Sequence, residues 1–215
     1  MIESNALNGI IEGVLEDVAQ RSVPASMLKE KLATAPQLRD AYAALNKEDM
    51  SLIAEVKRSS PSKGDLAEIS DPISLAKSYQ DGGADLVSVL TEERKFKGRV
   101  SDLIGVRQSI NLPVLRKDFI VTEFQVYESR ILGSDLLLLI IAGLSKSQLI
   151  DFYQLATELG MSVLVEVHTI SEAEVALDIG AQIIGVNCRN LKTLELDKNA
   201  FELILPKLPD SVVKI

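Results

Sequence analysis

The sequence predicts an α/β fold: repeated strand–helix units that build a parallel sheet, with a helical segment ahead of them. Three observations carry this. Short apolar runs rich in Val, Ile and Leu recur along residues 51–215 with few polar interruptions, as in strands covered on both faces. Helical patterns lie between them. A small repeat, Gly83-Ala-Asp-Leu, Gly133-Ser-Asp-Leu and Gly180-Ala-Gln-Ile, closes a helix and opens a strand three times over. Glycine suits such a stop because it enters the left-handed conformation at low steric cost.

Residues 1–50 read as a helical extension. Leu7, Ile10, Ile11, Val14, Leu15 and Val18 recur at steps of three and four, one face of an amphipathic helix. Pro24 opens a second segment with a stripe of Met27, Leu28 and Leu32, and Leu38, Tyr42 and Leu45 continue the pattern beyond Pro36. Residues 51–215 carry the strand–helix units. Strands are expected at Ser51–Val56, Leu86–Leu90, Pro113–Leu115, Leu136–Ile141, Val163–Val167, Ile183–Val186 and Val212–Ile215. Helical stretches between them include Ile73–Tyr79 and Gln148–Ala156, the latter with Leu149, Phe152 and Leu155 as its apolar stripe.

Seven strand starts at a mean spacing of about 27 residues imply a parallel sheet with right-handed crossovers. An open doubly wound sheet and a closed (β/α)8 barrel both satisfy this. No Gly-x-Gly-x-x-Gly follows the first strand, so the barrel, typically about 250 residues, is preferred. An eighth unit would need on the order of 50 further residues. The expectation is therefore a barrel truncated at its seventh strand.

Composition narrows the function classes. At 47% hydrophobic and 25% charged the chain is an ordinary globular one, large enough for a sizeable core. A net charge of −8 disfavours nucleic acid as a partner. One cysteine and one histidine make a structural zinc site improbable. The longest apolar run, Leu136–Ala142, is too short to span a membrane, and Met1–Asn5 lacks the start of a signal peptide, so a cytoplasmic protein is expected.

Charged residues interrupt four of the strand ends. Alternate side chains on a strand share a face, so Glu55 goes with Lys57, Lys117 with Leu115, Glu166 with Leu164 and His168, and Asn187 with Arg189. Each alone reads as a solvated strand end or a structural ion pair. Two lysines and two glutamates converging at the C-terminal ends of parallel strands read as a site, because burying several charges is costly unless they pair and because such barrels place their chemistry there. Weaker candidates accompany them. His168 has no partner visible in the sequence and reads as a loop or supporting residue. Cys188 reads as a small packed residue. Ser59–Gly64 is expected as a flexible loop, either a plain turn or one that holds phosphate or acts as a lid, and Phe96, exposed in the charge run Glu92–Lys97, either as part of a solvated run or as a stacking residue.

The motifs resemble those of the indole-3-glycerol phosphate synthase family. The resemblance rests on Ile53-Ala-Glu-Val-Lys-Arg-Ser-Ser-Pro-Ser-Lys-Gly64, Ser88-Val-Leu-Thr-Glu92, Pro113-Val-Leu-Arg-Lys-Asp-Phe-Ile120, Leu164-Val-Glu-Val-His168 and Gly185-Val-Asn-Cys-Arg-Asn-Leu191, five motifs in order. It implies a carboxy-lyase of tryptophan biosynthesis that closes the ring of 1-(2-carboxyphenylamino)-1-deoxyribulose 5-phosphate with loss of carbon dioxide and water. It further implies Lys117 as the general acid on the substrate carbonyl and Glu166 as the group for later proton transfers. Lys57 would contact the substrate's anionic groups and take part in the acid chemistry, positioned by Glu55 and Asn187, the division of the acid steps between Lys57 and Lys117 being left open. Ser60 and Arg189 match substrate-binding positions, and Phe96 and Phe119 resemble residues around the aromatic ring. No cofactor is implied, since no redox step occurs, and the partner is a phosphorylated small molecule. Association with other enzymes of the pathway is left open.

An ammonium of lowered pKa is a good acid near neutral pH, and the second lysine is expected to lower that of Lys117. The family's chain continues past the seventh strand into a Ser-Glu-Ser-Gly segment and a glycine-rich phosphate site. On that ground the 215 residues alone are expected to be inactive, with unpaired sheet edges that favour self-association. Two other readings remain: a barrel aldolase with a Schiff-base lysine, and an inactive truncated barrel.

Overall fold

The computed structural model describes residues 6–215. Met1–Asn5, on which the signal-peptide expectation rests, lies outside the described residues. Three helices come first: α1 (Ala6–Arg21), α2 (Ala25–Leu32) and α3 (Ala41–Leu45). The strand–helix units follow as β1 (Ile53–Val56), a short hairpin of β2 (Ser59–Ser60) and β3 (Gly64–Asp65), α4 (Pro72–Asp81), β4 (Leu86–Leu90) and α5 (Val100–Ser109). Next come β5 (Val114–Lys117), α6 (Glu123–Leu132), β6 (Leu136–Ile140), α7 (Lys146–Glu158), β7 (Ser162–Val167) and α8 (Ile170–Asp178). The last elements are β8 (Ile183–Val186), α9 (Ala200–Ile204) and β9 (Val213–Lys214).

Seven strands form one parallel sheet in the order β1-β4-β5-β6-β7-β8-β9. Each strand pairs with the next in chain order once the hairpin is set aside, as successive βα units do when every crossover has one hand. The sheet curls but does not close: β1 and β9 are its edges, so the fold is an open α/β barrel rather than a closed ring.

Parity sorts the side chains into two layers. Leu86, Leu115, Leu136, Leu138, Leu164, Ile183 and Val213 face inward and pack with Leu7, Ile10, Val14 and Val18 of α1. Val87, Val89 and Val114 face outward against α4 and α5, and Leu137, Leu139, Val163, Val165 and Val167 against α6, α7 and α8. Helix α1, with Ala41 and Leu45 of α3, thus joins the interior layer, while α2 lies against α6.

Local chemistry sets the helix bounds. Asp71 caps α4 by accepting from the amides of Ile73 and Ser74, each at 3.0 Å, with Pro72 supplying a helix-ready φ at the first position. Thr122 with Gln125 and Ser145 with Gln148 form reciprocal capping boxes on α6 and α7. The repeat closes helices as expected, and a fourth copy appears. Gly83, Gly133, Gly160 and Gly180 have φ between 78° and 89°. The following amides of Ala84, Ser134, Met161 and Ala181 each donate at 3.0 Å to the carbonyl five residues back. The aspartate of the repeat ties strand to strand. Asp85 accepts from the amide of Leu52, and Asp135 from that of Val114, each at 2.9 Å. Each carboxylate fixes the start of the strand preceding its own.

Candidate active site

A cavity of about 610 Å³ opens at the C-terminal ends of the strands. Its floor is apolar, with Leu115, Leu138 and Leu164 and the backbone of Gly185, and its walls carry the charges. A Cβ at Gly185 would lie 3.1 Å from Leu164, so glycine keeps this floor open beside Glu166, its register partner on β7.

The structure brings Glu55, Lys57, Lys117, Glu166 and Asn187 into this one cavity, as shared parity predicts. Lys117 Nζ donates to Glu166 Oε2 at 2.8 Å, and Asn187 Nδ2 donates to Glu166 Oε1 at 3.1 Å. Both carboxylate oxygens are thereby held. Lys57 pairs with Glu55, two residues away on the same face, and Ser88 Oγ lies 3.4 Å from the second Glu55 oxygen. Asn187 Oδ1 in turn accepts from the Arg189 amide at 2.9 Å.

These pairings correct one expectation. Burial by itself would lower the Lys117 pKa, but the charge and hydrogen bond of Glu166, with the charge of Glu55 behind them, outweigh it and raise it. The two lysines do not face each other as unpaired cations; each has its own glutamate. Glu166 shows the mirror image. Burial pushes its carboxyl up, while Lys117, the Asn187 amide and the charge on His168 together hold it below the ordinary range.

Five further expectations resolve. Phe96 is half-buried, not exposed: its ring stands 6.0 Å from that of Phe119 at 41°, and both line the cavity. The cause is Glu92, which is 3% exposed and accepts from the amides of Arg94, Lys95 and Phe96 at 2.8–3.0 Å, turning the loop inward. Ser59–Gly64 is not a plain loop, since Ser60 pairs with Gly64 in the β2–β3 hairpin that overhangs the cavity. Arg189 lines the cavity, with one guanidinium nitrogen donating to the Leu194 carbonyl at 2.8 Å, so it braces its own loop as well. His168 does have partners: Nδ1 lies 3.3 Å from Glu172 Oε2 and Nε2 3.5 Å from Glu166 Oε1. The spacing of His168 and Glu172, four residues apart across a helix start, carried that signal. Cys188 packs against the outer core layer and also reaches the cavity wall.

Residues that the sequence did not single out also belong to the site. Lys63, at the tip of the hairpin, is a further cation on the cavity wall. Asp118 accepts from Thr91 Oγ1 at 2.6 Å and from Arg116 Nη2 at 3.0 Å, anchoring the turn just past Lys117. Arg116 is fully buried on the opposite face of β5, bonded to Thr91, Ser129 and Asp118 and paired with Glu128 at 2.9 Å. Arg21 of α1 donates to the other Glu128 oxygen at 2.9 Å. Among the described residues no cluster of three or more His, Cys, Asp or Glu is arranged to hold a metal ion, and no helix is long and apolar enough to cross a membrane.

Comparison with known proteins bears on this geometry. Residues 7–215 match the family model described as indole-3-glycerol phosphate synthase. A protein of that name from Streptomyces griseus is 51% identical over 213 residues, which cover 98% of this chain and 79% of the relative. One from Mycobacterium tuberculosis is 51% identical over 217 residues, covering 100% of this chain and 80% of the relative. Among solved structures, the N-acetylmannosamine-6-phosphate 2-epimerase of Clostridium perfringens aligns with a TM-score of 0.50 at 12% identity, covering 70% of this chain and 67% of that one. The 2-keto-3-deoxy-6-phosphogluconate aldolase of Zymomonas mobilis aligns with a TM-score of 0.50 at 14% identity, covering 74% and 66%. At those identities the two structures bear on fold alone.

Proposed function

The chain belongs to the indole-3-glycerol phosphate synthase family, and from that membership we propose how its cavity closes, decarboxylates and dehydrates 1-(2-carboxyphenylamino)-1-deoxyribulose 5-phosphate. The observation that carries the reading is the Lys117–Glu166 contact at 2.8 Å in a cavity that also holds Lys57 and two phenylalanine rings.

Ring closure needs an electrophilic carbonyl carbon. The Lys117 ammonium hydrogen-bonds the carbonyl oxygen and gives it a proton as the aromatic carbon attacks. Loss of carbon dioxide then restores the aromatic ring. Dehydration needs a base for a proton at the new five-membered ring and an acid for the departing hydroxyl, and Glu166 serves there. Its two oxygens are held by Lys117 and Asn187, which fixes its direction. A raised Lys117 pKa keeps the acid charged at neutral pH, and transfer becomes favourable as negative charge develops on the carbonyl oxygen.

The substrate carries a carboxylate and a phosphate. Lys57, held by Glu55, meets one of these anionic groups. Ser60 and Arg189 bind from the overhanging loops, and Phe96 and Phe119 flank the aromatic ring. The curl of the sheet supports a (β/α)8 barrel architecture, and the small polar metabolite supports a cytoplasmic setting. None of these steps calls for a cofactor.

The test is turnover by Lys117→Ala with that substrate, followed by the fluorescence of the indole product. A fall in kcat of about 10²- to 10⁴-fold with KM nearly unchanged is expected. Near-normal kcat overturns the assignment. Borohydride trapping of a covalent adduct would instead favour a Schiff-base aldolase.

A further inference from the structure

The reaction proposed above consumes one proton per turnover. The substrate carboxylate leaves as carbon dioxide, the carbonyl oxygen gains one proton, the departing hydroxyl gains a second, and the new ring returns one. Anionic substrate plus one proton therefore gives indole product, carbon dioxide and water. The Lys117–Glu166 pair must therefore be recharged from solvent in every cycle.

We propose that His168 and Glu172 form a proton relay that recharges Glu166, and through it Lys117, from the solvent side of α8. The inference rests on the reaction read above. The groups stand in line: Lys117 Nζ donates to Glu166 Oε2 at 2.8 Å, His168 Nε2 lies 3.5 Å from Glu166 Oε1, short of a hydrogen bond, and His168 Nδ1 lies 3.3 Å from Glu172 Oε2. The Glu172 side chain is 20% exposed and the His168 side chain 9%, so the chain of groups leads from water to the cavity wall.

Two further details fit a relay. The same Glu172 oxygen accepts from the His168 backbone amide at 2.6 Å, which locks the carboxylate beside the ring. His168 Nε2 is buried and has no hydrogen-bond partner, although it faces a carboxylate oxygen. A buried nitrogen left so is costly, and a proton shared between Nε2 and Glu166 Oε1 during part of the cycle satisfies it.

The transfer balances. Glu172 takes a proton from water and passes it to Nδ1, while the Nε2 proton moves to Glu166 Oε1. Once Lys117 has given up its proton the ion pair that held Oε2 is gone, so a half-turn of the Glu166 carboxyl presents the proton to the Lys117 amine, which becomes ammonium again; the ring, left protonated on Nδ1, regains its Nε2 proton by exchange with water once product has left the cavity. The charged groups around the ring are Glu166 from β7 and Glu172 from α8. Beyond them stand Lys117 from β5, paired with Glu166, and Lys192, whose charge acts on Glu172. His168 acts through Glu166 and is a positioning residue in this scheme.

The experiment uses the full chain and 1-(2-carboxyphenylamino)-1-deoxyribulose 5-phosphate. His168→Ala and Glu172→Gln are expected to lower kcat about 10- to 100-fold with KM within twofold and with a larger solvent deuterium isotope effect. Free imidazole should restore part of the His168→Ala loss and none of a Lys117→Ala loss. Unchanged kcat in Glu172→Gln, which alters only a partly exposed side chain, overturns the relay even if His168→Ala fails to fold. A second readout needs no turnover. His168 is the single histidine of the chain, so its imidazole ¹⁵N pair stands alone in the spectrum. The Nε2 resonance should move on Glu166→Gln and the Nδ1 resonance on Glu172→Gln; resonances that stay put overturn the path. Absence of indole product from an unaltered chain that carries the family's Ser-Glu-Ser-Gly segment and glycine-rich phosphate site would overturn the reaction itself, and the ¹⁵N shifts tell that failure apart from failure of the relay.

Discussion

Lys117 and Glu166 touch at 2.8 Å although they stand on β5 and β7, with the whole of β6 between them. The contact is possible because the sheet curls and because β6 offers only apolar side chains, Leu138 and Ile140, to that space. Side chains from the flanking strands reach across this floor to one another. A flat sheet would hold strands two places apart at roughly 9.5 Å, too far for a direct contact between short rotamers.

Asn187 should control the charge state of Glu166. Its amide nitrogen donates to Oε1 and is among the groups that keep that carboxyl below its ordinary range. Asn187→Asp replaces a donor with a like charge at the same distance, which raises the Glu166 pKa. The acidic limb of the kcat/KM profile is expected to move up by about one pH unit, since one unit is the typical size of such a perturbation. A profile that does not move, in a variant that still turns over, removes Glu166 from the rate-determining ionisation.

Glu128 should hold α1 to the barrel. It sits between Arg116, fully buried, and Arg21, so its loss leaves Arg116 with Asp118 as its one remaining carboxylate. Glu128→Ala is expected to destabilise by about 3 kcal/mol at pH 7, as for breaking a buried pair. Burial opposes the ionised form of Glu128, but Arg116 and Arg21 outweigh it and leave the pKa lowered. The stabilisation is therefore present above the unfolded carboxylate value of about 4.3 and is lost as pH falls through the lower folded value. Denaturant titrations of both proteins should differ at pH 7 and converge under acid conditions.

The strand pattern is readable in the sequence because strands covered on both faces need continuous apolar residues, and the observed strand starts fall within a residue of those expected from the runs at Leu86, Leu136, Val163 and Ile183. The inward parity of Glu55, Lys117 and Glu166 is equally legible. The buried charge network is not. Arg116 looks like any basic strand end until Thr91, Ser129, Asp118 and Glu128, contributed by three separate segments, are seen around it. Phe96 escapes the sequence for the same kind of reason: a charge run suggests solvent, but the Glu92 carboxylate is consumed by three backbone amides and the loop folds inward. Helix α5 leaves a weak imprint because polar Asp102 and Arg107 share its buried face with Leu103 and Val106.

Gly98 should be the least replaceable glycine of the site. A Cβ there would lie 2.4 Å from the Leu90 carbonyl oxygen and 2.8 Å from the Thr91 nitrogen, both backbone atoms of the strand end that positions Glu92. Gly98→Ala must push the loop carrying Phe96 away from the cavity. KM is expected to rise about tenfold, equivalent to about 1.4 kcal/mol of substrate binding. Gly9→Ala, in an open stretch of α1 with no neighbour within 4 Å, is the control and should leave KM unchanged.

The two aspartates of the helix-closing repeat separate burial from motif. Asp85 and Asp135 occupy the same place and each binds an amide at the start of the preceding strand, Leu52 just ahead of β1 and Val114 at the first position of β5. Around them the surroundings differ. Asp85 has Lys47 as its charged partner, and that lysine is 41% exposed, so water replaces much of what a substitution removes. Asp135 is 1% exposed and also accepts from the Arg39 amide at 2.8 Å and from Arg107 Nη2 at 3.1 Å. Its removal strands the buried Val114 amide, the half-buried Arg39 amide and the buried Arg107 guanidinium at once. Asp135→Ala is therefore expected to destabilise by roughly 3–5 kcal/mol, against about 1 kcal/mol for Asp85→Ala. Urea titrations decide it, read as a change in midpoint at constant slope. Equal losses at both positions would mean that the shared strand-start bond, and not the buried arginine, sets the stability of these turns.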